Sequence, residues 1–274
     1  MRTIDRNHAR AAMPPTVVCL HASGGSGAQW NALALRIGPR HRVLAPDFHG
    51  HGQATPFDGP QEAIVAADTL RVARLAADAG GPVHLVGHSY GGAVALRVAL
   101  YHPDVVASVA VYEPVALQLL AGLMRSDRCA AEVSEVAHAI ARDLNGGAME
   151  RAARRFVDFW SGDGAWSRLP PDRRAAFARR MPVIRAHFAS LMSDGVTLRD
   201  YGRITTPVLY LTGRNTRAAT RRIGELLRRA LPHVDAMAFD DVDHLGPITH
   251  AALVAGAIAR FIEEQTRRSE RKAA

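Results

Sequence analysis

Short apolar runs that alternate with helical periodicities constrain the fold of this chain more than any other feature. Six runs have the composition of strands: TVVCLHA (16–22), HRVLAPD (41–47), PVHLVGHS (82–89), VASVAVYEP (106–114), TPVLYLTG (206–213) and VDAMAFDDV (234–242). Most are nearly continuous in apolar residues, which is typical of strands buried on both faces of a sheet. Helical periodicities fill the intervals, near residues 29–37, 61–79, 91–101, 217–230 and 247–265. The alternation predicts βαβ units and a parallel sheet.

One long segment interrupts this alternation, because no run between residues 116 and 201 has the pattern of a strand. We therefore predict a helical cap over residues 116–201, inserted into a core of residues 1–115 and 202–274. Apolar residues of the segment share one helical stripe, which Pro182 is expected to interrupt: Phe177, Met181, Ile184, Phe188 and Leu191. The stripe packs onto the core or faces a ligand, and the same two interpretations hold for the other large aromatic residues: Phe156, Phe159, Trp160 and Trp166.

Composition and charge exclude several classes of protein. The chain has 274 residues, of which 48% are hydrophobic and 22% charged, as expected for a globular protein with a large core. No apolar window reaches the length of a membrane span or a signal peptide, so we expect a soluble cytoplasmic protein. Two cysteines, Cys19 and Cys129, suit reduced thiols better than a disulfide framework. The net charge of +8 comes from scattered arginines without a nucleic-acid-binding signature, which favours a solvated surface.

A serine motif follows the third predicted strand, where residues 85–94 are LVGHSYGGAV. Gly87, Ser89 and Gly91 form a G-x-S-x-G element between a strand and a helix of small residues. The glycines are needed because a tight elbow at the serine leaves no room for side chains two positions away on either side. Such an elbow lifts the Ser89 hydroxyl to the carboxyl edge of the sheet, where open α/β sheets bind ligands. The alternative is an ordinary serine in a glycine-rich turn.

An activated serine needs a base that accepts its proton and a further group that orients the base. Among 13 histidines, His244 directly follows the last predicted strand and precedes Pro247, which suits the first turn of a helix. We predict that His244 lies over the strand edge within reach of Ser89, with a structural loop histidine as the alternative. Other histidines are assigned to ordinary packing, and no zinc-ligand spacing accompanies them: His49, His51, His84, His102 and His187.

Four motifs together indicate a known family: LHASGGSGAQW after the first predicted strand, APDFHGHGQA after the second, GHSYGG at the elbow and DHLGPITH after the last. From Val17 to Ile262 the chain resembles the α/β-hydrolase superfamily in its capped, single-domain form. The resemblance implies a mostly parallel sheet of six or seven strands flanked by helices, with an inserted helical cap. Only residues 1–15 precede the first predicted strand, so the antiparallel strand pair with which the family usually begins is expected to be shortened or missing.

The resemblance also implies an oxyanion hole, a pair of backbone N–H groups that stabilises a developing negative charge. In the family, the histidine-led loop after the first strand supplies one donor. By position this donor is Ser23, one residue later than usual, because the common His-Gly pair is His21-Ala22 here. The second donor would be the N–H of Tyr90. Such donors are typically worth about 3 kcal/mol each in rate.

The acid of the site departs from the usual pattern. Family members usually carry an aspartate in a G-x-x-D arrangement after the penultimate strand, but Thr216 occupies that position and residues 213–224 contain no carboxylate. A minority of the superfamily places the acid at the end of the strand after the elbow, where this chain has Glu113. We therefore predict that Glu113 orients His244, with a hinge or salt-bridge glutamate as the alternative and Asp241 as the second candidate acid.

The implied activity is that of a serine hydrolase that cleaves carboxylic esters through an acyl-enzyme on Ser89. Cleavage of a C–C bond, a lactone or a thioester uses the same groups and stays open, as does a non-catalytic ligand receptor on the same fold. The apolar cap favours a small to medium hydrophobic substrate, and no metal or organic cofactor is expected. Neither a nucleic acid nor a membrane is expected as a partner, and association into a homo-oligomer is left open.

Overall fold

One six-stranded parallel sheet forms the centre of the molecule. The computed structural model describes residues 14–123 and 127–273. Its strands are Thr16–Leu20 (β1), Arg42–Leu44 (β2), Val83–His88 (β3), Val106–Tyr112 (β4), Val208–Gly213 (β5) and Val234–Phe239 (β6). Their order across the sheet is β2-β1-β3-β4-β5-β6, so the direction in which strands are added reverses between β1 and β3. A reversal of this kind opens a crevice at the carboxyl ends of the two strands.

Helices connect these strands. Those of the core are Asn31–Ile37 (α1), Ile64–Ala77 (α2), Tyr90–Tyr101 (α3), Ala218–Ala230 (α10), Gly246–Thr249 (α11) and Ala251–Ala273 (α12). Between β4 and β5 lie Gln118–Ala121 (α4), Arg128–Asn145 (α5), Met149–Ser161 (α6), Ala165–Arg168 (α7), Pro171–Met192 (α8) and Leu198–Tyr201 (α9). Short 3-10 helices cover Gly27–Trp30, Gln61–Ala63 and Pro103–Val105. The predicted fold class is therefore confirmed, with six strands in the described residues.

The expectation of a shortened first strand pair concerns residues 1–15, and residues 1–13 lie outside those described. Within the described residues, no helix combines the length and the apolar character that are needed to cross a membrane. Cys19 is fully buried and Cys129 is half-buried, and both are free thiols.

Successive residues of the central strands alternate between two apolar layers. Val109 and Val111 of β4 contribute to a layer that includes α2, α3 and α10, whereas Ala110 and Tyr112 contribute to a layer with α1 and α12. All four are at most 1% exposed. Because both faces of the sheet are covered by helices, the strands need apolar residues at consecutive positions, which explains the unbroken runs in the sequence.

The segment between β4 and β5, called the insertion below, is helical in its described part, as predicted. Its longest helix, α8, continues through Pro182, so the predicted interruption at that residue is wrong. A proline inside a helix costs about 3 kcal/mol. Met181 and Ile184 flank it and are both fully buried, and this packing holds the helix together across the missing hydrogen bond. The apolar residues of α8 join the layer of α2 and α3, in agreement with the packing interpretation.

A buried polar cluster lies between β3 and α12. The ring of His84 has Nδ1 at 2.8 Å from Ser108 Oγ and Nε2 at 3.1 Å from Thr266 Oγ1. Burial, together with the nearby His41, lowers the pKa of His84 from its usual 6.5 to about 4. The folded protein therefore holds this imidazole in its neutral form.

We expect the free energy of unfolding to decrease as the pH falls from 6.5 towards 4. Above pH 6.5, His84 is neutral in both the folded and the unfolded chain and adds no pH dependence. Between the two values only the unfolded chain binds the proton, so the folded state loses about 3 kcal/mol relative to it, and the loss is complete below about pH 4. Urea unfolding at several pH values, followed by circular dichroism, measures this slope.

A matched pair of variants tests the assignment to His84. His84→Gln removes one titrating group and should make the slope shallower by up to about 1.4 kcal/mol per pH unit, while the other buried histidines keep their share. His138→Gln, at an exposed position of α5, should keep the slope of the wild type. An unchanged slope in His84→Gln would contradict the assignment.

Candidate active site

Ser89 occupies the tight turn between β3 and α3. Its backbone has φ 54° and ψ −116°, a strained conformation for a residue other than glycine. A Cβ at Gly87 would lie 2.4 Å from the carbonyl oxygen of Gly91, and a Cβ at Gly91 would lie 2.3 Å from that of Leu20. Close approach of the backbone therefore excludes side chains at both glycines, as the G-x-S-x-G motif predicts.

His244 reaches Ser89 from the loop after β6. Its Nε2 lies 3.0 Å from Ser89 Oγ, and its Nδ1 lies 2.8 Å from Glu113 Oε2. The structure thus brings together the three side chains that the sequence suggested as nucleophile, base and acid. Ser89 is 7% exposed, His244 3% and Glu113 0%, so the contacts are shielded from bulk water. An arrangement of this kind can transfer the serine proton to the imidazole while the carboxylate stabilises the imidazolium.

Two hydrogen bonds hold the backbone of the His244 loop. His88 Nε2 donates to the carbonyl oxygen of His244 over 2.8 Å, and the Tyr112 hydroxyl donates to that of Asp243 over 2.6 Å. His88 precedes the elbow serine at the end of β3, and Tyr112 ends β4. The two strands that carry Ser89 and Glu113 therefore also position the loop that carries the imidazole.

Glu113 follows β4 with a left-handed backbone, φ 43°, and its carboxylate accepts four hydrogen bonds. Oε1 lies 2.8 Å from both Thr212 Oγ1 and Gly213 N, and Oε2 lies 2.7 Å from Thr216 Oγ1 and 2.8 Å from His244 Nδ1. Burial alone raises the pKa of this carboxyl, but the contacts with His244 and the hydrogen bonds from Gly213 and Thr216 outweigh burial and lower the pKa below its usual value. Glu113 is therefore ionised.

Thr216 explains how the site is built without the usual aspartate. The residue stands at the aspartate position of the family, in the loop after β5, and donates its hydroxyl to Glu113. Because β4 and β5 are neighbours, a glutamate at the end of β4 reaches this loop and meets its donors there. The loop therefore binds the carboxylate instead of supplying it.

Asp241, the second candidate acid, lies elsewhere. Its side chain is exposed, and among the described residues it makes no hydrogen bond or ion pair with His244. Its neighbour Asp240 pairs with Arg214 at 2.5 Å on the surface. The structure therefore brings Glu113, and not Asp241, to the imidazole.

The N–H groups of Ser23 and Tyr90 are the predicted oxyanion donors. Ser23 lies in the loop after β1, and Tyr90 is the first residue of α3, whose N-terminal end favours negative charge. In the described part of the chain neither N–H donates to another protein group. Gly24, the next residue in the loop of Ser23, donates its N–H to His51 Nε2 over 2.9 Å, and this hydrogen bond fixes the loop. Both donors therefore follow the carboxyl ends of the neighbouring strands β1 and β3, and their role in binding an oxyanion stays a prediction.

The two histidines of the DFHGHG motif, His49 and His51, make local contacts in and around their loop, as the sequence predicts. His49 Nδ1 lies 2.6 Å from Asp68 Oδ1, and His51 Nδ1 lies 3.0 Å from the carbonyl oxygen of His49. The other oxygen of Asp68 accepts a hydrogen bond of 2.7 Å from the Tyr90 hydroxyl. The loop after β2 is thus connected through Asp68 to the residue that follows the nucleophile.

Two side chains of the insertion contact the site, and the sequence assigned neither of them to it. The ring of Trp160, in α6, lies with its centroid 4.7 Å from that of His244. His187, in α8, lies with Nδ1 2.7 Å from Ser23 Oγ and stacks on the Tyr90 ring at 3.7 Å, so this buried histidine of the insertion packs against the residues of both predicted oxyanion donors. Helical periodicity shows which positions are buried, but it does not show which of them face the sheet edge.

Together, the sheet order, the strained serine elbow and the histidine loop after the last strand define an α/β hydrolase. The sequence model of the Alpha/beta hydrolase family matches residues 17–257, and the chain belongs to this family. The resemblance inferred from the four sequence motifs is thereby confirmed.

Some curated relatives match almost the whole chain, among them several named pimeloyl-[acyl-carrier protein] methyl ester esterase. The protein from Methylococcus capsulatus is 30% identical over 263 residues, 90% of this chain and 94% of its own. The protein from Neisseria meningitidis serogroup C is 27% identical over 261 residues, 94% of this chain and 98% of its own. Among solved structures, the enol-lactonase from Burkholderia xenovorans shares the fold, with a TM-score of 0.75 at 20% identity over 93% of both chains.

Glu113→Gln should lower kcat by about a thousandfold with little change in KM. The amide keeps the shape of the side chain but cannot stabilise the imidazolium, and it favours the wrong tautomer of His244. Hydrolysis of p-nitrophenyl butyrate measures the effect. Asp241→Asn is the matched control and should retain activity close to that of the wild type. The reverse pattern would transfer the role of the acid to Asp241.

Thr216→Val should lower both stability and activity, because it deprives the buried carboxylate of one donor while conserving side-chain volume. We expect the free energy of unfolding to fall by about 2 kcal/mol and kcat by about tenfold. Urea unfolding and ester hydrolysis measure the two effects. Thr216→Ser keeps the hydroxyl and should recover most of both, and equal losses in the serine and valine variants would show that the hydrogen bond is not the cause.

Proposed function

We propose that this protein is a serine esterase that hydrolyses carboxylic esters of small to medium hydrophobic substrates. The observation that supports this most directly is the hydrogen-bonded series from Ser89 Oγ to His244 Nε2 at 3.0 Å and from His244 Nδ1 to Glu113 at 2.8 Å, built on a strained elbow. Ester hydrolysis is also the activity named for the relatives from Methylococcus capsulatus and Neisseria meningitidis described above, each of which is named for a methyl ester.

In the first half of the proposed reaction, Ser89 is acylated. His244 Nε2 accepts the hydroxyl proton while Oγ attacks the carbonyl carbon of the ester. The N–H groups of Ser23 and Tyr90 donate to the oxygen that becomes negatively charged. His244 then donates its proton to the oxygen of the departing alcohol as the C–O bond breaks, which leaves the acyl group on Ser89.

In the second half, water releases the acid. His244 accepts a proton from the water as its oxygen attacks the acyl carbon, and the same two N–H groups stabilise the second tetrahedral intermediate. The bond to Ser89 Oγ then breaks, and His244 returns the proton to the serine. Glu113 stays ionised throughout and stabilises the imidazolium in both halves.

The insertion is proposed to be a cap domain, formed by residues 116–201 on a core of residues 1–115 and 202–274. Support comes from Trp160, which lies beside His244 and packs against Phe156 and Phe188. An aromatic surface next to the base suits a hydrophobic acyl or alcohol group. A cytoplasmic location and a small-molecule substrate are part of the proposal, and two free cysteines are consistent with a reducing compartment.

A fluorophosphonate probe should label the wild-type protein at Ser89, because the probe phosphorylates serines that are activated by a neighbouring base. Peptide mass spectrometry locates the adduct. Ser89→Ala should remove both the label and the hydrolysis of p-nitrophenyl butyrate. A folded wild-type protein that stays unlabelled, or slow hydrolysis that persists in Ser89→Ala, would favour a non-catalytic ligand receptor.

A substrate panel separates the bond types that share this machinery. Methyl and p-nitrophenyl esters should be hydrolysed with the highest kcat/KM, ahead of thioesters, lactones and substrates with a cleavable C–C bond. A higher kcat/KM for any of the last three would reassign the bond while leaving the roles of Ser89 and His244 in place.

A further inference from the structure

One side chain of the insertion, His187, contacts the side chains of both residues whose N–H groups are predicted to form the oxyanion hole. The ring of His187 stacks with two aromatic rings, that of Tyr90 at 3.7 Å with planes 5° apart and that of His51 at 5.1 Å with planes 12° apart. Its Nδ1 lies 2.7 Å from Ser23 Oγ. His51 accepts a hydrogen bond from the N–H of Gly24, the residue after Ser23. The imidazole therefore touches the loop after β1 and the first residue of α3 at the same time.

The Tyr90 side chain is held at two places. Its hydroxyl donates to Asp68 over 2.7 Å, and the face of its ring lies against His187. A ring fixed at both its tip and its face restrains the backbone to which it is attached, including the N–H of Tyr90. Oxyanion donors act only when they lie about 2.7–3.1 Å from the position that the charged oxygen will occupy. Contacts with the residues that carry these donors therefore influence the rate.

Packing alone does not account for a histidine at position 187. The side chain is fully buried, and in the part of the chain that the structure describes its Nε2 finds no hydrogen-bond partner. Burial, together with His51 and His21, lowers the pKa of His187 well below its usual value, so the ring is neutral. A buried polar atom without a partner is unfavourable, and a phenylalanine would fill the same space without that cost. The hydrogen bond to Ser23 is the contact that a phenylalanine cannot provide.

We propose that His187 is a positioning residue of the oxyanion hole, and that the insertion thereby completes the hole by aligning the N–H groups of Ser23 and Tyr90. The hole would be fully formed only when α8 is seated on the core. This inference rests on the proposed esterase function and adds a role for the insertion in the chemical step, beyond a role in enclosing the substrate.

Three variants distinguish a role of His187 in aligning the oxyanion donors from a role in packing alone. His187→Phe keeps the stacked ring, loses the hydrogen bond to Ser23 and removes the unpartnered Nε2. Ser23→Ala loses the same hydrogen bond from the other side and keeps the backbone N–H. His187→Asn keeps a polar atom near the position of Nδ1 and loses the stack. His138→Phe makes the same exchange at an exposed position of α5 and is the matched control.

We expect His187→Phe to lower kcat, and the rate of fluorophosphonate labelling, by about tenfold, with KM within about twofold of the wild type and an unchanged or higher melting temperature. Ser23→Ala should show a loss of similar size, and the double variant should show no further loss, because both changes remove one shared contact. His187→Asn should recover part of the labelling rate, and His138→Phe should match the wild type throughout.

Each outcome decides the inference. A His187→Phe protein that folds and is labelled at the wild-type rate overturns it, as do losses that add in full in the double variant. If His187→Phe does not fold, Ser23→Ala decides, because Ser23 is half-buried and its replacement removes only a hydroxyl: a wild-type labelling rate overturns the inference and a tenfold loss supports it. Absence of labelling in the wild type overturns the esterase proposal and this inference together, which distinguishes the two failures.

Discussion

The buried charge of Glu113 is the interaction on which the rest of the site depends. A carboxylate taken from water into a protein interior costs several kcal/mol unless hydrogen bonds replace its hydration. Three donors from the segment 212–216 and a fourth from His244 do so here. Because these donors come from the end of β5 and from the loop after β6, the charge is stable only when three neighbouring parts of the sheet edge are correctly assembled. The orientation of the imidazole towards Ser89 follows from that assembly.

The sheet could be predicted from the sequence because strands buried on both faces leave an unambiguous pattern. All six strands occur where apolar runs indicated them, although β2 covers only Arg42–Leu44 of the predicted residues 41–47, since it pairs with β1 alone at the edge. The insertion was less predictable. Its helical character follows from periodicity, but the continuity of α8 through Pro182 depends on packing between segments far apart in the sequence. Contacts of that kind leave no local signal.

The same distinction separates the site residues that could be predicted from those that could not. Ser89 and His244 stand next to strand ends and within motifs whose geometry is local, and Glu113 could be inferred because its strand end offered a carboxylate where the usual loop had none. Trp160 and His187 could not, because a residue in a helix approaches a sheet edge only through tertiary packing. A buried polar residue on an otherwise apolar stripe, as His187 is on α8, is the one sequence feature that marks such a position.

Because the carboxylate beside His244 comes from the end of β4, the loop after β5 does not have to supply it. This loop donates a hydrogen bond to the carboxylate and also contacts the insertion. Arg217, one residue beyond the donor Thr216, donates hydrogen bonds to the carbonyl oxygens of Asp158 and Phe159 in α6, immediately before Trp160. The loop after β5 therefore connects the insertion to the core through Arg217, next to the hydroxyl that binds Glu113. An exchange of Arg217 would therefore remove hydrogen bonds between the core and the insertion beside Trp160, while the contacts among Ser89, His244 and Glu113 involve other atoms.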